Sequence, residues 1–405
     1  MKKISIGFPL LYFLFIIFTM VFFFDSSMIT SESESTYNNI CVPYFDSNIT
    51  ISLFIISVIV FLVLMLIRKK IYYDNIGLLL LIRIPLYFIP LLYIHGEFKI
   101  GVAYAIVQCL FSFFIGFQEN RKEDFSKFLV ISFLVTIVIG FQIFYTMFYY
   151  KISFFSDSLK WYMVIPLGRS NYISCILLPI YVMINFYLVE KNKILLSLIY
   201  SIYIFLCVLG TGSKWGILLF IIFCVITNIK YFKKIILRKN GVYLFVLIAL
   251  ILFIPFVFND CVSFIEEIID KFTSNNIFYN RIQVYKGAIN LIFDNFLFGR
   301  SAYYYFIYDA SKAHNFILES LIQTGFIGTI IYIIILFIAI RKIVSIENRI
   351  QRNCFLLFII CYLIQGLAEP NLFGAESDAF FWFIVGFAVS FCYNRKENIS
   401  RRIGL

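Results

Sequence analysis

The chain has 405 residues, 62% of them hydrophobic and 14% charged, with a formal net charge of +11. Soluble domains carry about 25% charged residues, so this composition excludes a globular enzyme. Apolar runs of about 20 residues, the length that crosses a bilayer, recur instead along the chain. The positive balance would suit a nucleic-acid partner, but the basic residues fall in short clusters between apolar runs, which marks membrane topology and excludes that partner.

The first apolar run, Ile4–Phe24, follows Met1-Lys2-Lys3. It is too long for the apolar region of a signal peptide, and Ser26-Ser27-Met28 is a poor cleavage site, so it reads as a retained helix. Eleven further spans follow at roughly 49–67, 76–94, 100–117, 128–148, 172–189, 194–210, 215–229, 241–258, 316–340, 354–368 and 375–393. Pro85 and Pro90 bend the third. The chain therefore reads as an all-α polytopic membrane protein with about twelve transmembrane helices, one integral membrane domain over residues 1–405.

An even number of spans puts both termini on one side. That side includes Arg68-Lys69-Lys70, Arg121-Lys122, Lys191-Asn192-Lys193, the basic 230–239 stretch, Arg341-Lys342 and the Arg395–Arg402 tail. Its segments hold 23 Lys and Arg against 7 Asp and Glu. The positive-inside rule makes it the cytoplasm.

The long loops lie on the other face. Residues 25–48 are acidic and Ser-rich, residues 149–171 form a second loop, and residues 259–315 form the largest. Apolar residues within the last recur at helical spacing over Ile265–Lys271 and Arg281–Phe293, and the second stretch suits the membrane interface. No repeat and no phosphate-binding P-loop is present. The nine cysteines form no CxxC pair. Cys109, Cys175, Cys207 and Cys224 lie in apolar runs as small apolar residues, while Cys41 and Cys261 both face outside and leave a disulfide open.

The segment Lys312-Ala-His-Asn-Phe-Ile-Leu-Glu-Ser-Leu-Ile-Gln-Thr-Gly-Phe-Ile-Gly328 carries one of only two histidines. The other, His95, reads as a lone polar loop residue. Asn315, Glu319 and Gln323 recur every fourth residue and form a polar stripe about 12 Å long. His314 stands at its outer end. A polar stripe entering a bilayer faces the bundle interior or a wet cavity, and Gly325 and Gly328 offer a flat face for helix contact. Three further features share that membrane face: Gly168-Arg169-Ser170-Asn171, the tight turn Thr211-Gly-Ser-Lys-Trp-Gly216, and Arg281 with Tyr285 one turn on, followed by Phe298-Gly-Arg300-Ser301. Taken singly, His314 and Asn315 read equally as a helix cap, and each Arg or Lys as an end residue reaching the headgroups. Together they read as a cationic pocket with one titratable group. Such a pocket suits an anionic lipid-borne substrate, because guanidinium groups bind phosphate bidentately and a neutral imidazole accepts a hydroxyl proton near pH 7.

These residues resemble the O-antigen ligase and Wzy-type polysaccharide polymerase superfamily, bacterial inner-membrane proteins with about twelve spans and a large late outer loop. Thr211-Gly-Ser-Lys214 looks like the family's Thr-x-Ser-Arg turn. Arg281 with an aromatic four residues on, Gly299, and His314-Asn315 with Leu318-Glu319, Gly325 and Gly328 follow in the family's order. The resemblance covers residues 211–328, and the rest of the chain matches in topology. Lys214 stands where arginine is usual and lacks its fork, and Tyr285 stands for a frequent tryptophan.

The resemblance implies glycosyl transfer at the periplasmic face of the inner membrane, from a glycan on undecaprenyl pyrophosphate. In a polymerase the acceptor is another lipid-linked repeat unit; in a ligase it is the lipid A core. The polymerase is the preferred reading, on analogy with divergent polymerases rich in Phe, Tyr and Ile. Arg281 and Lys214, with Arg169 and Arg300, would hold the pyrophosphate as charge develops on it. Asn315 and Tyr285 would contact substrate, His314 would be the base, and Glu319 would orient it. No metal, no other cofactor and no nucleic acid is expected; a chain-length regulator is an expected partner. A transporter or polysaccharide flippase is the alternative from a different class. Arg83 in Leu81-Ile-Arg-Ile-Pro85 would be its intramembrane charge, but the long outer loop and the lack of repeats favour an enzyme.

Overall fold

The computed structural model describes residues 7–24, 39–46, 74–92, 100–118, 124–237 apart from 155 and 157, 275–304 apart from 303, 313–368, 379–392 and six residues between 55 and 63. The helices are α1 (Phe8–Phe22), α2 (Asn75–Phe88), α3 (Ile100–Gly116), α4 (Asp124–Tyr149), α5 (Leu159–Tyr162), α6 (Ser170–Glu190), α7 (Ile194–Gly210), α8 (Lys214–Leu237), α9 (Asn275–Asp294), α10 (Phe316–Val344), α11 (Arg349–Gly366) and α12 (Ala379–Cys392). Among the described residues, four helical segments are long and apolar enough to cross a bilayer: Asn75–Leu92, Asp124–Tyr149, Ser170–Glu190 and Phe316–Val344. Shorter apolar helices occupy Phe8–Phe22, Ile106–Gly116, Ile194–Gly210, Lys214–Ile229 and Ala379–Cys392. The helices expected over 241–258 and 265–271, most of the span at 49–67, and Cys261 lie outside the described residues. Among the described residues every cysteine is free, Cys41 included.

The centre of the bundle is α6, which packs against α4, α7, α8 and α11. It is largely apolar around its circumference, as suits a helix surrounded by helices, and Ile176, Leu177, Leu178, Ile180, Val182 and Met183 are all buried. Phenylalanines fill the adjoining core: the Phe13 ring lies 4.8 Å from those of Phe128 and Phe383, and Phe128 lies 4.9 Å from Phe387. Such pairs add about 1 kcal/mol each to plain burial.

Beside this core α2 packs on α10. Asp74 caps α2, its Oδ1 accepting the Ile76 amide at 2.9 Å, and its other oxygen pairs with Lys342 in the last turn of α10. Both charges complement the helix ends they sit on. Pro85 lies inside α2, and one turn later the chain tightens into a 3-10 turn at Ile89–Leu92. Arg83, on the same helix, is buried. Its guanidinium lies 4.3 Å from the Tyr332 ring and 5.1 Å from the Tyr87 ring, and Nη2 donates to Ser320 Oγ at 3.2 Å. This cation fastens α2 to α10 by contacts worth about 2 kcal/mol when desolvated.

Two short strand pairs accompany the helices. Phe23–Phe24 (β1) pairs in parallel with Phe45–Asp46 (β2), and Val164–Ile165 (β3) pairs antiparallel with Gly168–Arg169 (β4). The antiparallel pair turns just before Gly168, whose φ of 130° is open to glycine and costly for other residues. It ends the 149–171 loop and delivers Arg169 directly to the start of α6.

Candidate active site

Three helices begin at one end of the bundle, each with a residue singled out in the sequence at its start. Arg169 occupies the cap position of α6. Lys214 is the first residue of α8, and Ser213 before it caps that helix, its Oγ accepting the Gly216 amide at 3.1 Å. Asn315 caps α10, its Oδ1 accepting the Ile317 amide at 3.0 Å and the Leu318 amide at 3.2 Å, with His314 just before it. Hydrogen bonds join these starts. Ser174 Oγ, one turn into α6, donates to Ser213 Oγ at 3.3 Å, and the end of α11 reaches both neighbours, Gln365 Nε2 to Ser174 Oγ at 3.0 Å and Leu367 O from Asn315 Nδ2 at 3.2 Å. Two cations at helix N-termini run against the helix dipoles. Gathered with a third N-terminus, they make a place suited to negative charge.

His314 has a φ of 51°, a left-handed conformation uncommon outside glycine. Backbone strain of this kind persists only where the surroundings enforce it. The enforcement is visible in Glu319, which is 1% exposed. Its Oε1 accepts the Ala313 amide at 2.6 Å and the Tyr304 hydroxyl at 2.9 Å, and its Oε2 lies 3.0 Å from that hydroxyl and 3.2 Å from Gln323 Nε2. Every one of these partners donates. The carboxylate thus pins the amide immediately before His314. The expected stripe splits in two: Glu319 and Gln323 pair inside the bundle, while Asn315 turns to the helix amides and to α11.

The flat helix face expected from Gly325 and Gly328 is not what forms. Gly325 has φ 64° and ψ −167°, so α10 breaks there. Gly299, with φ 73°, lies against the break, and a Cβ on Gly325 would stand 2.3 Å from Leu297 O. Four of the backbone groups released by the break find partners in segment 296–301. Arg300 N donates to Ile322 O at 2.6 Å and Ser301 N to Gln323 O at 3.1 Å, while Phe326 N donates to Phe296 O at 2.8 Å and Ile327 N to Leu297 O at 3.3 Å. Irregular backbone at membrane depth requires such repayment. The atoms nearest a Cβ on Gly328 are those of the Thr324 side chain on its own helix. Gly299 and Gly325 therefore seat segment 296–301 on α10 instead of a second helix.

Arg300 within that segment pairs with Asp294 at 2.5 Å and donates to Leu291 O at 3.3 Å, which ties the loop to the end of α9. Arg281 and half-buried Tyr285 lie on α9; the side chain of Arg281 is outside the described residues. α9 docks on α10 through Ala288, Ile292 and Ile322 and leaves Phe293 exposed. Sequence reasoning missed Tyr304, Ser174 and Gln365. Tyr304 is one of 28 tyrosines and carries no local signal. Gln365 closes an apolar span, which marks it as polar but says nothing of its partner. Among the described residues no three His, Cys, Asp or Glu side chains gather as a metal site would require.

No curated protein sequence matches the chain. A family model does: residues 199–333 match the O-antigen ligase family. The matched span begins in α7 and ends in α10, so it contains the Thr211–Lys214 turn, α9, the Gly299–Gly325 contact and His314–Glu319. The protein is thus a multi-pass membrane protein whose residues 199–333 form an O-antigen ligase family domain, the domain of enzymes that transfer glycans in surface-polysaccharide synthesis.

Proposed function

We propose that this protein is a polysaccharide polymerase that joins undecaprenyl-pyrophosphate-linked repeat units at the periplasmic face of the inner membrane. The observation that carries the reading is that the starts of α6, α8 and α10, where Arg169, Lys214 and His314 stand in the chain, are tied together by Ser174, Gln365 and Asn315. About twelve spans, both termini in the cytoplasm and the 259–315 loop in the periplasm put that end of the bundle outside.

His314 takes the proton from an acceptor sugar hydroxyl. The hydroxyl oxygen bonds to the anomeric carbon of the donor glycan, and the bond from that carbon to the pyrophosphate oxygen breaks. The released negative charge falls to Arg281 and Lys214, with Arg169 beside them. Arg300, already paired with Asp294, serves mainly to hold the loop. Glu319 orients His314 through the Ala313 amide. Asn315 and Tyr285 contact the glycan, and two lipid-linked substrates held side by side supply the proximity. A chain-length regulator is the expected protein partner. No metal is required by this scheme.

The matched family's description as a ligase supports a second reading, with the lipid A core as acceptor. Surface polysaccharide from a strain lacking the gene separates the two. A ladder collapsing to single repeat units supports the polymerase. Bare core with long lipid-linked chains outside supports the ligase. Repeat units trapped in the cytoplasm would overturn both in favour of a flippase.

A further inference from the structure

The family match ends at residue 333, yet the hydrogen bonds that fix the site's dimensions come from beyond it. Gln365, in the last turn of α11, is 0% exposed, and its Nε2 donates to Ser174 Oγ at 3.0 Å. Ser174 in turn reaches Ser213, the cap of α8. Two residues past Gln365, the Leu367 carbonyl accepts from Asn315, the cap of α10. One turn of α11 therefore holds the starts of α8 and α10 at once. Lys214 follows the first cap and His314 precedes the second. There is little slack between α6 and α8, because a Cβ on Gly216 would stand 2.9 Å from Ser174 Cβ and 3.1 Å from Ser174 Oγ.

We propose that Gln365 is a positioning residue that sets the spacing between Lys214 and His314, acting through Ser174. The proposal rests on the reading of His314 as base and Lys214 as pyrophosphate ligand. In a group transfer that depends on near-attack geometry, a displacement of about 1 Å costs about 100-fold in rate. Gln365 thus acts on turnover more than on substrate capture.

The test uses the full-length protein in detergent or vesicles, with lipid-linked repeat units isolated from the strain lacking the gene. Gln365→Met keeps the side-chain length and removes one protein hydrogen bond, since Oε1 has no protein partner. The expected result is a kcat about 10-fold lower, a KM within twofold, and unchanged protein level and thermal unfolding. Ser174→Ala should show the same split and at least as large a fall, because it removes this bond together with those from Ser174 to Ser213 and Asn171 O, and the double variant should fall no further than Ser174→Ala alone. A kcat within twofold of wild type, multiplying losses in the double variant, or a loss that follows protein level alone would overturn the proposal. His314→Ala assayed in parallel separates the two failures. An inactive His314→Ala beside an unaffected Gln365→Met overturns only the positioning role. An active His314→Ala overturns the base assignment and the positioning role with it.

Discussion

The central helix α6 carries two polar clusters about 16 Å apart along its length, and they are built differently. Around Asn185, Nδ2 donates to Thr227 at 2.9 Å, Oδ1 accepts from Ser197 at 2.5 Å, and Tyr181 lies 3.0 Å from Ser201. This cluster joins α6, α7 and α8, contains no charged side chain and satisfies itself. Around Ser174 the network reaches Ser213, the residue before Lys214, and runs through the end of α11 to Asn315, the residue after His314. The first cluster is glue between apolar helices, where small polar pairs replace the missing hydrophobic drive. The second holds charge and a strained backbone that glue alone does not require. Polar content alone would not have separated them; charge, strain and helix polarity do.

The comparison breaks most sharply at His314. His314→Ala should lower glycan transfer about 1,000-fold, close to abolition on a gel, with normal insertion in the membrane. Near-normal chains from that variant would remove the base from the site. Next in size is Gly325→Ala. Its backbone conformation is open essentially to glycine alone, and the added methyl meets Leu297 O. A cost of about 3 kcal/mol follows, read as a lowered unfolding temperature in detergent. Wild-type stability would mean that α10 does not break there. Arg281→Lys should then reduce transfer about 10-fold, since lysine keeps the charge and loses the bidentate fork. Full activity would show that charge alone suffices or that α9 stands away from the substrate.

Much of this was legible in the residues. The apolar runs gave α1, α2, α4, α6, α7 and α10 within a few residues, and the start of α8, because a span longer than about 18 apolar residues has few other uses. The rarity of histidine pointed to His314, and the turn at Thr211–Lys214 was readable from its polar run between two short-linked spans. What the residues hid was the break in α10. Gly325 and Gly328 suit a flat helix face as well as a kink, and only the approach of Gly299, 26 residues earlier in the chain, decides between them. Tyr304 and Gln365 stayed hidden for the same reason. Their roles depend on partners on other elements, Glu319 and Ser174, and spacing along one helix carries no information about such partners.

The smallest effect is the most discriminating for the comparison itself. Asn185→Leu removes an amide that ties α6 to α7 and α8 and fills its space with an apolar side chain. Hydrogen bonds between membrane helices average about 0.6 kcal/mol each, so the loss should be about 1 kcal/mol. The unfolding temperature in detergent should fall slightly, while transfer per folded molecule stays at the wild-type level. The same apolar replacement logic applied to Gln365 should do the reverse, sparing stability and lowering turnover. If Asn185→Leu instead lowered turnover at unchanged stability, the two clusters on α6 would be parts of one working network, and the division between glue and site would have to move toward the other end of the helix.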